Sequence, residues 1–194
     1  MPRLLILYGT TDGHTAKVAQ FLADQLHSHG ADVDLLEAGT SDPDPRDYTA
    51  VIVAASVHAG GYQKAVVRWV RTHAEALSYT PSAFVSVCLG VLQPSPKVER
   101  DLTRITNRFA AQTSWDPPCI KRVAGAVPYT RYGWLKRMVM RQIVKKAGGS
   151  TDVSRDHEYT DWADLRAFTR AFHAMCRVIA RHQATPPAPL AKAS

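Results

Sequence analysis

Gly9-Thr10-Thr11-Asp12-Gly13-His14-Thr15 gathers three hydroxyls and two glycines in seven residues, a set suited to holding a phosphate. Between a strand and a helix, such a loop turns unpaired N–H groups and the positive end of a helix dipole toward an anion. Thr10, Thr11 and Thr15 add donors, and Gly13 lets the backbone come close. The Gly-Lys-Ser/Thr ending of a triphosphate loop is missing, as is the G-x-G-x-x-G spacing of a dinucleotide loop. An ordinary Gly/Thr-capped turn would have the same composition. Asp12 would repel a phosphate, and is expected to turn outward and cap the helix. His14 either leans over the anion or faces solvent, and is given no catalytic role.

Two later segments could wall in a flat ring. Ser56-Val57-His58-Ala59-Gly60-Gly61-Tyr62 and Ser86-Val87-Cys88-Leu89-Gly90-Val91 each follow an apolar run. Their small residues would bring backbone N–H and C=O groups to the edge of a planar heterocycle, with His58 or Tyr62 over one face. Tyr62 alone reads better as the start of the next helix. No side chain stands out as a general base, His58 being the nearest to one.

These three loops need strands beneath them. Leu4–Leu7, Val33–Leu36, Val51–Ala55, Ala83–Val87 and Ile120–Val127 read as strands, the first as a continuous apolar run buried on both faces. Helical spacing covers His14–His29 (Val18, Ala19, Leu22, Ala23, Leu26 inward, Gly30 as stop), Tyr62–Leu77 (Val66, Trp69, Val70 inward) and Val98–Gln112. A last helix covers Thr160–Arg181, with Trp162, Leu165, Phe168, Phe172, Met175 and Ile179 inward. The alternation predicts an α/β doubly wound parallel sheet with right-handed crossovers, whose ligands sit beyond the C-terminal strand ends. One domain is expected over residues 1–182, followed by a Pro/Ala-rich disordered tail at 183–194.

The chain of 194 residues carries 24 Lys and Arg against 17 Asp and Glu, a formal +7. Such a balance points first to nucleic acid. Yet Lys121, Arg122, Arg131, Lys136, Arg137, Arg141, Lys145 and Lys146 fall in one stretch without acids, between Asp116 and Asp152. Outside it the chain is close to neutral, and one basic helix without a reader motif is thin support for a nucleic-acid partner. No apolar run reaches the roughly 20 residues of a membrane span. The apolar start leads into a glycine loop rather than a cleavage site, so it reads as a strand and not a signal peptide. Three cysteines without ligand-like spacing argue against a disulfide framework or metal site, and a cytoplasmic location is expected.

Within the basic stretch, Trp134, Leu135, Met138, Val139 and Ile143 cover about half of a helical wheel at roughly 100° per residue, with Met140 and Val144 outside that half. Arg137 and Arg141 lie opposite, and Lys145 reaches outward along its stem. A basic amphipathic helix with Trp and Met suits an anionic membrane surface, and its cations could equally pair with carboxylates. A docked helix with a solvated basic face has the same pattern.

Gly9, Thr10, Gly13 and Thr15 resemble the phosphate loop of the flavodoxin-like fold, G-T-x-T-G-x-T, with Asp12 in place of the second Thr. Further segments resemble one branch, the quinone-dependent protoporphyrinogen oxidases of bacteria: Ala55-Ser56 with Gly60-x-Tyr62, Pro81–Phe84 before Ser86-Val87, and Ala124-Gly125-Ala126. The most specific are Tyr129–Trp134, Gly148–Asp152 and Tyr159-Thr160-Asp161-Trp162. The resemblance runs in order over about residues 3–175. It implies a five-stranded sheet of order 2-1-3-4-5 with a basic helical insertion at about 128–150, after strand five. It implies FMN, held by Thr10, Thr11, Asp12, Gly13, His14 and Thr15 at the phosphate. Ser56, Val57 and His58, with Ser86, Val87, Cys88, Leu89 and Gly90, would surround the ring. The later loop lacks the aromatic that flavodoxins commonly stack on the flavin. Protoporphyrinogen IX is the implied substrate, losing six electrons to menaquinone or ubiquinone in heme biosynthesis. Arg131, Trp134, Lys136, Arg137, Arg141 and Lys145 are the candidates for contact with substrate or with the anionic inner-membrane surface, on its cytoplasmic face. Homo-oligomer formation is left open. A flavodoxin-like NAD(P)H:quinone reductase and an electron-carrier flavodoxin are the competing readings.

Overall fold

Leu4 to Leu7 are fully buried and alternate between two cores, Leu4 and Ile6 in one, Leu5 and Leu7 in the other. A strand covered on both faces requires this, because successive side chains point to opposite sides of a sheet. The computed structural model describes residues 2–92, 95–131, 133–146 and 149–184, without the side chains at 131, 135–137, 139, 143, 146 and 181–184. In chain order the elements are β1 (Arg3–Gly9), α1 (His14–Ser28), β2 (Asp32–Glu37), β3 (Ala50–Ser56), α2 (Lys64–Thr72), α3 (Ala74–Tyr79) and β4 (Ser82–Val87). There follow α4 (Pro96–Thr113), β5 (Ile120–Val123), β6 (Ala126–Val127), α5 (Trp134–Lys146), β7 (His157–Glu158) and α6 (Trp162–Ala184). Strands β1 to β5 form a parallel sheet of order β2-β1-β3-β4-β5, so winding reverses between β1 and β3.

Helices α1 and α6 cover one face, through Val18, Ala19, Leu22, Ala23 and Leu26 and through Leu165, Phe172 and Cys176. The other face is covered by Val66, Trp69 and Val70 of α2, Leu77 of α3 and Phe109 of α4.

Several boundaries differ from the sequence reading. The helix expected over Tyr62–Leu77 is two, broken at His73, whose ring reaches Asp42 at 2.8 Å. Helix α4 begins earlier because Ser95 caps it, accepting from the Val98 amide, and Pro96 suits a first helical turn. The fifth strand stops at Val123. Beyond Ala124-Gly125 the chain leaves the main sheet, and β6 pairs antiparallel with β7. Helix α6 starts at Trp162 because Asp161 caps it, its carboxylate accepting from the Ala163 and Asp164 amides, while Thr160 is engaged elsewhere. On α6, Met175 is 40% exposed rather than inward, and Cys176 is buried in its place. The small Thr169 and Cys176 allow α6 to lie close to α1. Helix α6 also runs through Gln183 and Ala184, and the remaining tail lies outside the described residues.

Candidate functional site

The loop after β1 closes on itself before it meets anything else. Thr10 Oγ1 accepts a hydrogen bond from the Gly13 amide at 2.9 Å, and Gly13 has φ +89°, a left-handed conformation that glycine adopts without strain. Helix α1 starts there with no side chain capping it, so the cap expected of Asp12 is not made; Asp12 is half-buried at the cavity rim instead. Thr15 is 1% exposed, and its hydroxyl has no hydrogen-bond partner. A buried hydroxyl left unpaired costs about 1–3 kcal/mol, which an oxyanion at the helix N-terminus would offset. The residues present therefore fit a phosphate group. Gly9 is needed for a different reason: a Cβ there would lie 2.5 Å from Val66 Cγ2, so α2 could not sit as close to β1.

Gln63, missed in the sequence reading, ties this loop to the next. Its amide nitrogen donates to Thr11 Oγ1 at 3.0 Å and Ser56 Oγ at 2.7 Å, and its Oε1 is buried without a partner. A glutamine before a helix carries no sequence signal for this bridge. After β3 the chain makes a tight turn, with His58 and Gly61 exchanging backbone bonds of 2.8 and 3.1 Å. Ala59 and Gly60 both have positive φ, +49° and +77°, so Ala59 holds a conformation unusual for a residue with a Cβ.

The amides of Val57, His58 and Cys88 are spent on Val87, Gly61 and Val123. Side chains and carbonyls, rather than those three amides, thus face the space between the loops. Ser86 and Tyr62 point away from it: their hydroxyls meet at 2.8 Å, and Tyr62 packs edge-on to Phe84 and Phe109 in the core. Burial pushes the Tyr62 phenol up to about 12. It also pushes the Cys88 thiol up, while Cys88 Sγ accepts from the Gly90 amide at 3.3 Å.

A cavity of about 100 Å3 lies over these strand ends, lined by Thr10, Thr11, Asp12, His14, Thr15, Ser56, Val57, His58, Val87, Cys88 and Leu89 of the expected set. Gly13, Ser86 and Gly90 belong to the same loops but do not line it. Gly125, Ala126 and Met140 complete the wall and were not foreseen. A flavin ring is larger than this space, and the wall able to give is Met140, an unbranched side chain with three rotatable bonds.

His14 lines this cavity and is largely withdrawn from solvent. Its side chain is 11% exposed, and Nε2 lies 2.7 Å from Thr160 Oγ1, whose proton goes to the Ala124 carbonyl at 2.7 Å. Thr160 has one proton to give, so His14 Nε2 is the donor in that pair. Burial lowers the His14 pKa, against an opposing pull from Glu158. Glu158 in turn accepts from Lys17 at 2.7 Å and from the Trp162 indole at 2.9 Å.

Among its described side chains, helix α5 docks through Met140 and Val144, which lie outside the apolar half of the wheel. Val144 is fully buried beside Val127 and Tyr129, and Met140 packs on the same cluster with Leu89. Trp134 is 74% and Met138 55% exposed, with Arg141 and Lys145 exposed as well. Arg141 therefore lies near Trp134 and Met138 rather than across the helix from them. The side chains of Arg131, Lys136 and Arg137 lie outside those described. Two bases of the acid-free stretch are neutralised away from α5: Lys121 pairs with Asp164 at 2.5 Å and Arg122 with Glu99. Among the described residues, no helix is long and apolar enough to cross a membrane.

A family model described as a flavodoxin domain matches residues 5–154. The chain is similar to a protein of Escherichia coli (strain K12) named protoporphyrinogen IX dehydrogenase [quinone], 33% identical over 169 residues, spanning 87% of this chain and 93% of that one. A Leishmania major protein of the same name is 36% identical over 177 residues, covering 90% and 76% of the two chains. Among solved structures, a flavodoxin of Streptococcus pneumoniae TIGR4 superposes with a TM-score of 0.51 at 17% identity, covering 89% of this chain and 99% of that one. Oxidised flavodoxin 1 of Bacillus cereus does so with 0.51 at 12% identity, over 88% and 96%.

Proposed function

Because this chain belongs to the flavodoxin-domain family and, within it, to the quinone-type protoporphyrinogen IX dehydrogenases, we propose that it oxidises protoporphyrinogen IX to protoporphyrin IX through bound FMN, with menaquinone or ubiquinone as acceptor. The observation that carries the FMN reading is the buried, partnerless Thr15 hydroxyl at the head of the Gly9–Thr15 loop. Bound FMN supplies two-electron acceptor chemistry; the substrate gives up six electrons and six protons over three turnovers, and three quinones become three quinols. Thr10 and Thr15 hold the phosphate end, with Gly13 giving the loop its turn, while Asp12 marks the rim. Gln63 fixes Thr11 against Ser56, so the phosphate loop and the β3 loop hold one spacing. Val57 and His58 form one wall of the ring site, and Val87, Cys88 and Leu89 the other. Met140 excludes water from above.

Helix α5 is the proposed contact with the anionic inner-membrane surface where the quinone dissolves. At about 100° per residue, Trp134, Met138, Arg141 and Lys145 fall within an arc of roughly 60°, all four exposed. Aromatic and thioether groups flanked by cations suit the headgroup boundary, where each cation contributes about 1 kcal/mol near an anionic surface. The test is anaerobic purification, flavin analysis, and protoporphyrinogen turnover with and without added quinone. Quinone-dependent porphyrin fluorescence is expected, and its absence from flavin-loaded protein overturns the proposal. Sedimentation with phosphatidylglycerol vesicles should fall several-fold in Trp134→Ser/Met138→Ser.

A further inference from the structure

Beside the cofactor cavity, on the α2–α4 side of the sheet, lies a second and larger hollow of about 500 Å3. Its upper rim is the His58–Tyr62 turn, and His58 lines both spaces. Its walls carry Lys64, Arg68 and Arg71 from α2 and Arg108 from α4. The first three are spaced i, i+4, i+7, which puts them on one face of the helix. No acidic residue lines the hollow, and none of these four cations has an ion-pair partner among the described residues. Elsewhere Arg3, Arg46, Arg104, Lys121, Arg122 and Arg155 each hold a carboxylate. Four convergent, unneutralised cations repel one another, and an anion in the groove would relieve that repulsion.

Helix rise of 1.5 Å per residue places Lys64 and Arg71 about 10 Å apart along the groove. One end therefore opens at the cofactor cavity while the other presents guanidinium groups at a distance from it. Guanidinium is the side chain suited to carboxylates, since its planar fork can donate two parallel hydrogen bonds.

We propose that this groove is the carboxylate-holding half of the substrate site, in which Arg68, Arg71 and Arg108 take the propionates of a dicarboxylic tetrapyrrole whose ring reaches the cofactor cavity across the His58–Tyr62 turn. The proposal rests on the function given above and assigns the propionates to α2 and α4, leaving α5 to the membrane surface. Arg68 and Arg108 line the same hollow from different helices, so the two together would set the separation of the two carboxylates. Substrates esterified at both propionates lose this hold while keeping the ring.

The test uses flavin-loaded protein and two readouts, the KM for protoporphyrinogen IX and the Kd for protoporphyrin IX from fluorescence quenching. Exposed pairs are partly screened, so each guanidinium lost should weaken binding about threefold to tenfold. Arg68→Gln/Arg108→Gln should then raise both constants by one to two orders of magnitude, with kcat held, because the lost contact is made equally before and during reaction. The dimethyl ester should bind wild type and variant alike. Arg170→Gln/Arg177→Gln, the same loss of two charges at exposed positions of α6, should leave both constants unchanged, and equal flavin content and Tm exclude a folding defect.

Unchanged KM and Kd in the double variant overturn the inference, as does a loss carried instead by Arg141→Gln/Lys145→Gln. Wild-type-like porphyrin binding accompanied by weakened NADPH binding would assign the groove to a dinucleotide phosphate, and also overturns it. If wild-type protein shows no quinone-dependent turnover, the proposed function fails, and the porphyrin Kd still decides the groove on its own.

Discussion

Helices α1 and α5 both border the cofactor cavity, and they are attached to the protein in opposite ways. Six side chains of α1 are buried, and its first turn carries the partnerless Thr15. Among the described side chains, α5 is held by Val144 and Met140, and it turns Trp134 and Met138 outward. The first helix is a fixed support whose polar end awaits an anion. The second presents apolar side chains, Trp134 and Met138, to solvent. A site that must keep a cofactor yet exchange electrons with a lipid-soluble partner has use for both.

Substitutions can separate the two attachments. Leu22→Ala, in the middle of the α1 stripe, should cost about 2–5 kcal/mol in urea unfolding; a smaller loss would mean that α1 is held no better than α5. Thr15→Val keeps the shape and removes the unpaired hydroxyl. FMN affinity should fall about tenfold to a hundredfold, since a hydrogen bond to a charged group is worth roughly 1.5–3 kcal/mol. The flavin-free protein should be equally or more stable. Unchanged affinity would remove Thr15 from the phosphate site. Val144→Ala, the matching deletion on α5, should cost only about 1–2 kcal/mol while raising proteolytic cleavage within 134–146.

Acid should act on the α1 side alone. Burial holds both His14 and His173 below the ordinary imidazole value, with His29 and Arg177 adding to the effect at His173. The unfolded chain therefore takes up these protons first, near about pH 6.5. The stability that the neutral rings provide is complete above that pH and is lost as pH falls through the lower folded values. Urea midpoints should drop between pH 7 and 5, and His173→Leu should flatten the drop. Helix α5 contains no histidine, so cleavage within it should be insensitive to the same change.

The sheet and its helices were legible because alternation in β1 and the 3.6-residue period of α1 answer to burial against neighbours that every strand and helix of this arrangement meets. All five apolar positions assigned to α1 are buried. The period was a poor guide at α5, where two residues outside the apolar half of the wheel, Met140 and Val144, pack with Leu89 and Val127, while Trp134 and Met138 of that half are exposed. The phosphate loop was visible because its chemistry lies in consecutive residues. Gln63 and Thr160 were not, because each acts on a partner far away in sequence. Asp12 was misjudged for want of knowing that Gly13 itself starts α1.

The His14–Thr160–Ala124 clasp ties residues 146 positions apart. Helix α6, which begins just after Thr160, packs along α1 as well. The helix that heads the phosphate loop is therefore fastened at its first turn and again along its length, both times by chain that lies beyond β5. A protein nicked between Val123 and Thr160 keeps every strand of the main sheet, yet holds the partner of His14 only by packing.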